Sequence, residues 1–241
     1  MIYFDHSATT PVHPDVLDLM NSIQKGVYGN PSSIHKLGRK AKSVVENARK
    51  QVAKSIGAAP NQIIFTSGGT EANNQVFWSR INQDKKHVIS DTIEHPAVLK
   101  ALSQIAIFGI DHDLVTVNEK GCVSITDLES AITENTGLIS IMLANNEVGT
   151  IQPVKEITEL AHEKNILVHT DAVQCLGKMP IDVNNLGVDF LSLSAHKFYG
   201  PKGIGILYFK NKESLSALMI GGEQESGLRA GTENIGSIAG M

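Results

Sequence analysis

The stretch ILVHTDAVQCLGKMPIDVNNLGVDFLSLSAHKFYGPKGIGILYF (166–209) carries the pattern from which the architecture follows. It holds three apolar runs: ILVHTDA (166–172), FLSLSA (190–195) and GIGILYF (203–209). Their short length and their β-branched and aliphatic content predict strands. The loop from His196 to Lys202 is too short for a helical crossover, so GIGILYF is expected to pair antiparallel with its neighbour. Toward the N-terminus lie four more such runs: IIFTS (63–67), HVIS (87–90), DLVTV (113–117) and LISIMLA (138–144). Apolar residues at helical spacing fall over 37–57, 71–82, 95–108, 124–134 and 153–164, and Gly57 is a natural stop for the first of these. Alternating strands and helices predict an α/β domain. Its sheet would be mostly parallel and seven-stranded, with helices on both faces and one antiparallel strand.

The bulk properties narrow the function. With 241 residues and 41% hydrophobic content, the chain is long enough for one large domain with its own core. A formal charge of −4 gives no electrostatic reason to expect nucleic acid. No window reaches the ~18 consecutive apolar residues of a membrane span, and MIYFDHSATTPVHP has the form of neither a secretory signal nor a transit peptide. The only cysteines are Cys122 and Cys175. Two cysteines make no disulfide framework, and no metal-binding spacing is present, so a reducing cytoplasm is the expected setting.

In open sheets of this kind, ligands sit beyond the carboxyl ends of the strands, and the chemically capable residues cluster there. Ser67-Gly-Gly-Thr-Glu71 follows a strand and opens a helix, so its N–H groups and the Thr70 hydroxyl can face an anion; a tight turn is the plain alternative. Lys197 ends an apolar strand, where a lowered pKa suits Schiff-base chemistry, and Ser194 and His196 flank it at positions able to face an anion. The alternative is a surface loop lysine. Asp171 closes ILVHTDA, where a buried carboxylate needs a partner; a protonated pyridine nitrogen would serve, and so would a helix N-terminus. Gln174 lies a few residues beyond. His95, before Pro96, is either a capping residue or a flat ring able to stack and carry protons. Asn145 and Asn146 either reach a ligand or simply form a turn.

Eight segments in order resemble the cysteine desulfurases of the class V aminotransferase group, fold type I pyridoxal-phosphate (PLP) enzymes. They are YFDHSATTPVHP (3–14), YGNPSSIHKLGRKA (28–41), FTSGGTEANN (65–74), TIEHPAVL (92–99), LANNEVGTIQP (143–153), HTDAVQCLGKMPIDV (169–183), LSAHKFYGPKGIGILY (193–208) and GLRAGTEN (227–234). The IEHPAV form points to the branch that serves iron–sulfur assembly. The resemblance implies that Lys197 holds the cofactor covalently and that His95 stacks on its ring and shuttles protons. It also implies that Asp171 pairs with the ring nitrogen, Gln174 with the ring hydroxyl, and Asn146 with cofactor or substrate. Gly69, Thr70, Ser194 and His196 would hold the phosphate, and Thr232 would reach the phosphate site of a second subunit in a homodimer. The implied substrate is L-cysteine, giving alanine and an enzyme persulfide whose sulfur passes to an acceptor or iron–sulfur scaffold protein. No metal is implied.

The family continues past the GTEN segment into a small domain that carries the nucleophilic cysteine and a carboxylate-binding arginine. The expectation is therefore a large domain over 15–241, a segment 1–14 that normally lies against the small domain, and no small domain here. Neither Cys122 nor Cys175 matches the nucleophile, and Arg229 matches a position near the dimer contact. This chain alone is then expected to bind PLP with little turnover. A selenocysteine lyase or aminotransferase would use the same cofactor residues. A dimerising interaction module would keep the surface without the chemistry.

Overall fold

In a computed structural model, the structure describes residues 2–241. Met1, in the expected 1–14 segment, lies outside the described residues. The sheet has seven strands: β1 (Ile63–Thr66), β2 (His87–Asp91), β3 (Asp111–Val115), β4 (Thr136–Ser140), β5 (Leu167–Asp171), β6 (Phe190–Ser194) and β7 (Gly205–Phe209). Their order is β1-β7-β6-β5-β4-β2-β3. Strand β7 pairs antiparallel with both β1 and β6, and every other pairing is parallel, as the short loop after His196 required.

The expected boundaries shift at several elements: the helix expected over 71–82 spans Gly69–Trp78, β7 begins at Gly205 and not at 203, and two further strands move. Strand β3 begins two residues earlier than its apolar run, because Asp111 N–H donates to Lys86 O and sets a parallel register against β2. Strand β4 is assigned earlier than LISIMLA, although its ladder continues through Ile141 N–H to His169 O and Leu143 N–H to Asp171 O.

Alternation along the strands supplies two apolar faces. On one face, Ile63, Phe65, Ile139, Leu191 and Ile206 pack with α2 (Lys36–Ser55), α5 (Ile125–Ala131), α6 (Val154–Glu163), α7 (Val183–Leu186) and α8 (Ile235–Ala239). On the other, Ile64, Leu138, Phe190 and Leu207 pack with α3 (Gly69–Trp78) and α4 (Pro96–Ile105). Helix α2 stops before Gly57, which takes a left-handed φ of 72°. Helix α1 (Pro14–Gly26), capped by His13, was not anticipated; none of its residues is buried, so no deep apolar stripe announces it.

The middle of the sheet carries a buried polar rung. His169 Nδ1 meets Ser140 Oγ at 2.8 Å and its Nε2 meets Ser192 Oγ at 3.0 Å. Burial pushes the His169 pKa down to about 3. Between pH 3 and 6.5 the unfolded chain therefore takes up a proton here that the folded chain refuses, and this site removes stability as pH falls. We expect the stability difference between wild type and His169→Gln to shrink by about 2 kcal/mol from pH 7.5 to pH 5. Urea unfolding at the two pH values checks it; a pH-independent difference contradicts a neutral His169.

Candidate active site

The carboxyl ends of the strands surround a cleft of about 440 Å³. Of the ten residues singled out from the sequence, eight line it: Gly69, Thr70, His95, Asn146, Asp171, Gln174, Ser194 and His196. Lys197 lines a neighbouring cavity of about 770 Å³ and meets the cleft lining through its bond to Ala8 O, and Thr232 lies elsewhere.

The turn from β1 into α3 builds one side. Gly68 has φ 151°, a region closed to other residues, and Thr66 Oγ1 bonds both its N–H and its C=O. A side chain on Gly69 would strike Val173 Cγ2 at 2.6 Å, so the turn lies hard against the segment after β5. Among the described residues, the N–H groups of Gly69 and Thr70 have no partner, as the first groups of a helix do not. They are donors available to an anion.

Asp171 lies deep, at 8% exposure. Its Oδ1 accepts from Val173 N–H at 3.0 Å, which makes a turn and not the helix cap that was the alternative. Its Oδ2 accepts from Asn73 Nδ2 at 2.7 Å. Burial raises its pKa, against the pull of Asn73 and Val173. Asn73 is the residue that the sequence reading missed. It is fully buried on α3, one turn after Gly69, and its Oδ1 has no partner. Only the i,i+4 spacing from Gly69 hinted that it turns toward the site.

His95 is a capping residue that also lines the cleft. Its Nδ1 caps α4 by accepting from Ala97 N–H at 3.0 Å, and its ring lines the cleft. The preceding Glu94 is buried, and its Oε1 accepts from Met142 N–H at 2.6 Å, pinning this loop to the end of β4. Burial, with Asp91 and Asp171 nearby, raises the Glu94 pKa well above the usual carboxylate range. The paired asparagines divide the work. Asn145 is a turn residue, accepting from Glu147 and Val148 N–H and donating to Ile93 O, while Asn146 faces the cleft.

The N-terminal segment closes the remaining side. Thr10 N–H donates to His196 O at 2.8 Å, and His13 N–H to Tyr199 O at 2.9 Å. Thr9 Oγ1 meets His196 Nδ1 at 3.1 Å, and Gln174 Nε2 donates to Ser7 O at 2.9 Å. Lys197 Nζ donates to Ala8 O at 2.8 Å and to Ser7 O. Burial and the neighbouring Lys178 lower its pKa, against Asp171 and Asp5. Thr232 is exposed in a separate cavity of about 220 Å³ beside Arg229 and Ser67. Neither cysteine lines the cleft. Cys175 is 1% exposed, and burial pushes its thiol up to about 12. No cluster of the described residues could hold a metal ion.

These groups fit PLP. Two free N–H groups with the Thr70 and Ser194 hydroxyls suit a phosphate. A buried carboxylate that makes no ion pair among the described residues, with only the more distant charge of Lys197 and His95 acting on it, suits a protonated ring nitrogen, and the nearby Lys197 amine suits a carbonyl carbon.

The aminotransferase class-V family model matches residues 2–241. A cysteine desulfurase IscS of Dictyoglomus turgidum is 46% identical over 243 residues, an alignment that covers 100% of this chain and 62% of that protein. A solved NifS-like protein superposes with a TM-score of 0.96 at 44% identity, over 99% of this chain and 67% of that one. A structure described as SspA in complex with cysteine gives 0.95 at 41% identity, over 100% and 71%. This chain thus spans about three-fifths of the length of the curated relatives it matches. With a family model that matches residues 2–241, the chain belongs to the aminotransferase class-V family, whose cysteine desulfurases depend on PLP.

Proposed function

We propose that this chain forms the PLP site of a cysteine desulfurase acting on L-cysteine. The observation that carries the reading is the convergence of eight of ten expected residues on one cleft, with Lys197 in the adjoining cavity and its Nζ donating to Ala8 O of the cleft lining. When bound, PLP supplies an electron sink that stabilises charge developing next to a substrate amine.

The chain's own residues do the rest. Lys197 carries the reactive amine, and its lowered pKa enlarges the neutral, nucleophilic fraction. His95 spends Nδ1 on capping α4, which leaves Nε2 as the atom that can carry a proton. Asp171, held by Asn73 and Val173, presents a carboxylate to the ring nitrogen. Gly69, Thr70, Ser194 and His196 take the phosphate, while Gln174 and Asn146 take the remaining oxygens. The position of both thiols outside the cleft supports a chain that holds cofactor and substrate and leaves sulfur acceptance to a thiol it does not supply there. Thr232, outside its own cleft, supports service to a second subunit's phosphate in a homodimer. A sulfur-acceptor or iron–sulfur scaffold partner belongs to the same proposal. Cytoplasmic residence belongs to it too, in keeping with two free cysteines.

Reduction with borohydride after adding PLP, followed by peptide mapping, tests the reading. The expected result is a label on Lys197 alone and none in Lys197→Ala. A label on another lysine, or no label on the wild type, would falsify it.

A further inference from the structure

Glu71, in the first turn of α3, belongs to a bond set that none of the roles above uses. Its Oε2 accepts from Ser67 N–H at 2.8 Å, and its Oε1 accepts from Arg229 Nε at 2.9 Å. Arg229 Nη2 also reaches Oε2, at 3.3 Å. The two side chains are only 11% and 20% exposed, and neither lines the cleft. Burial works to raise the Glu71 pKa, and the bonds from Arg229 and Ser67 outweigh it; the bond to Glu71 raises that of Arg229. The pair is therefore ionised.

This arrangement bears on the anion turn in two ways. By engaging Ser67 N–H, the carboxylate fixes the residue at which the chain swings into Gly68 and Gly69, beyond which the N–H groups of Gly69 and Thr70 stay free. A carboxylate in a first helical turn also favours the helix dipole, yet here it stands beside the place that takes a doubly charged phosphate, which it would repel. Arg229 is the cation against it.

We propose that Arg229 is a positioning residue for the cofactor phosphate: it neutralises Glu71 and holds it on Ser67 N–H, so that the 67–70 turn accepts a dianion. The inference rests on the PLP reading of the cleft. Through Arg229, the loop after Gly222 then sets the affinity of a site it does not touch.

The test measures dissociation constants for PLP and for inorganic phosphate, at low and high salt. It uses the 241-residue chain and variants whose fold is checked by circular dichroism. Arg229→Gln should weaken both ligands roughly ten- to hundredfold at low salt, and less at high salt. Arg229→Lys should stay within about threefold, since its charge is kept. Adding Glu71→Gln to Arg229→Gln should recover most of the loss. A purely scaffolding pair would leave the double variant as weak as the single one. That result, or unchanged affinity in Arg229→Gln, overturns the proposal. Should Arg229→Gln not fold, Glu71→Gln decides alone: unchanged or tighter phosphate binding supports the role, and a loss beyond about tenfold refutes it. A wild type that binds phosphate with this pattern but not PLP keeps the pair's role and removes the cofactor reading. One that binds neither overturns both.

Discussion

Arg49→Ala is expected to lower the stability of the domain by about 3–5 kcal/mol, which for this size shifts the melting temperature by roughly 10 °C. Strand β1 is an edge of the sheet, and its outward backbone groups have no strand to pair with. Arg49 and Glu225 stand in for that strand. Arg49 Nη1 donates to Ile63 O at 2.8 Å, and Phe65 N–H donates to Glu225 Oε2 at 2.9 Å. The two side chains also form a fork, at 2.7 and 2.8 Å, and the guanidinium lies 4.9 Å from the centre of the Phe65 ring. Burial works against the Arg49 charge, but the bond and charge of Glu225 outweigh it and raise its pKa. Glu225 is held there by a left-handed backbone (φ 49°, ψ 40°), an unusual conformation for this residue. Alanine at 49 leaves a buried carboxylate without its cation and a carbonyl without its donor. Many buried ion pairs tolerate an apolar swap. Here Arg49→Met with Glu225→Met should not recover wild-type stability, because Ile63 C=O and Phe65 N–H would remain unpaired. Denaturant unfolding decides; a single-variant loss under 1 kcal/mol, or full recovery in the double variant, defeats the account.

The second large effect is expected at Gly205, where a methyl group should cost about 3 kcal/mol and weaken PLP binding at the same time. Gly205 pairs with Thr66 of β1 on one side and with Ser194 of β6 on the other, just below the anion turn. A side chain there would meet Gly68 Cα at 2.7 Å and would also strike Leu193 O. Both obstacles are backbone, so no rotamer change relieves them, and the turn that orients Gly69 must move. Gly203 gives the contrast. It has a left-handed φ of 79°, but a side chain there would meet nothing within 4 Å. Gly203→Ala should cost only the backbone strain of about 1–2 kcal/mol. Parallel unfolding curves and PLP titrations of the two variants test the ranking, and Gly205→Ala matching Gly203→Ala in both would show that the close approach does not matter.

Much of the site was legible because polar residues at the ends of apolar strands are costly without a task. Asp171, Ser194, His196 and Lys197 stood out for that reason, and the structure brings the first three to one cleft and leaves the lysine in the adjoining cavity, bonded to Ala8 of the cleft lining. Asn73 was not legible. On a helix face, an asparagine looks the same whether it meets solvent or a buried carboxylate. The closing wall was hidden as well, since Ser7 and Ala8 lie 190 and 189 residues from the lysine they hold.

By itself, then, the sequence determined the strands, most of the helices, the single reversed strand and the kinds of chemistry offered at each strand end. All of these follow from local periodicity, loop length and residue type. Tertiary structure alone decided the partners. Arg49 finds Glu225 across 176 residues and Arg229 finds Glu71 across 158, and Gly205 backs onto Gly68. Such pairings depend on how the sheet is ordered and how its edges are covered. A charge or a glycine carries no local mark of the group it will meet once the chain has closed on itself.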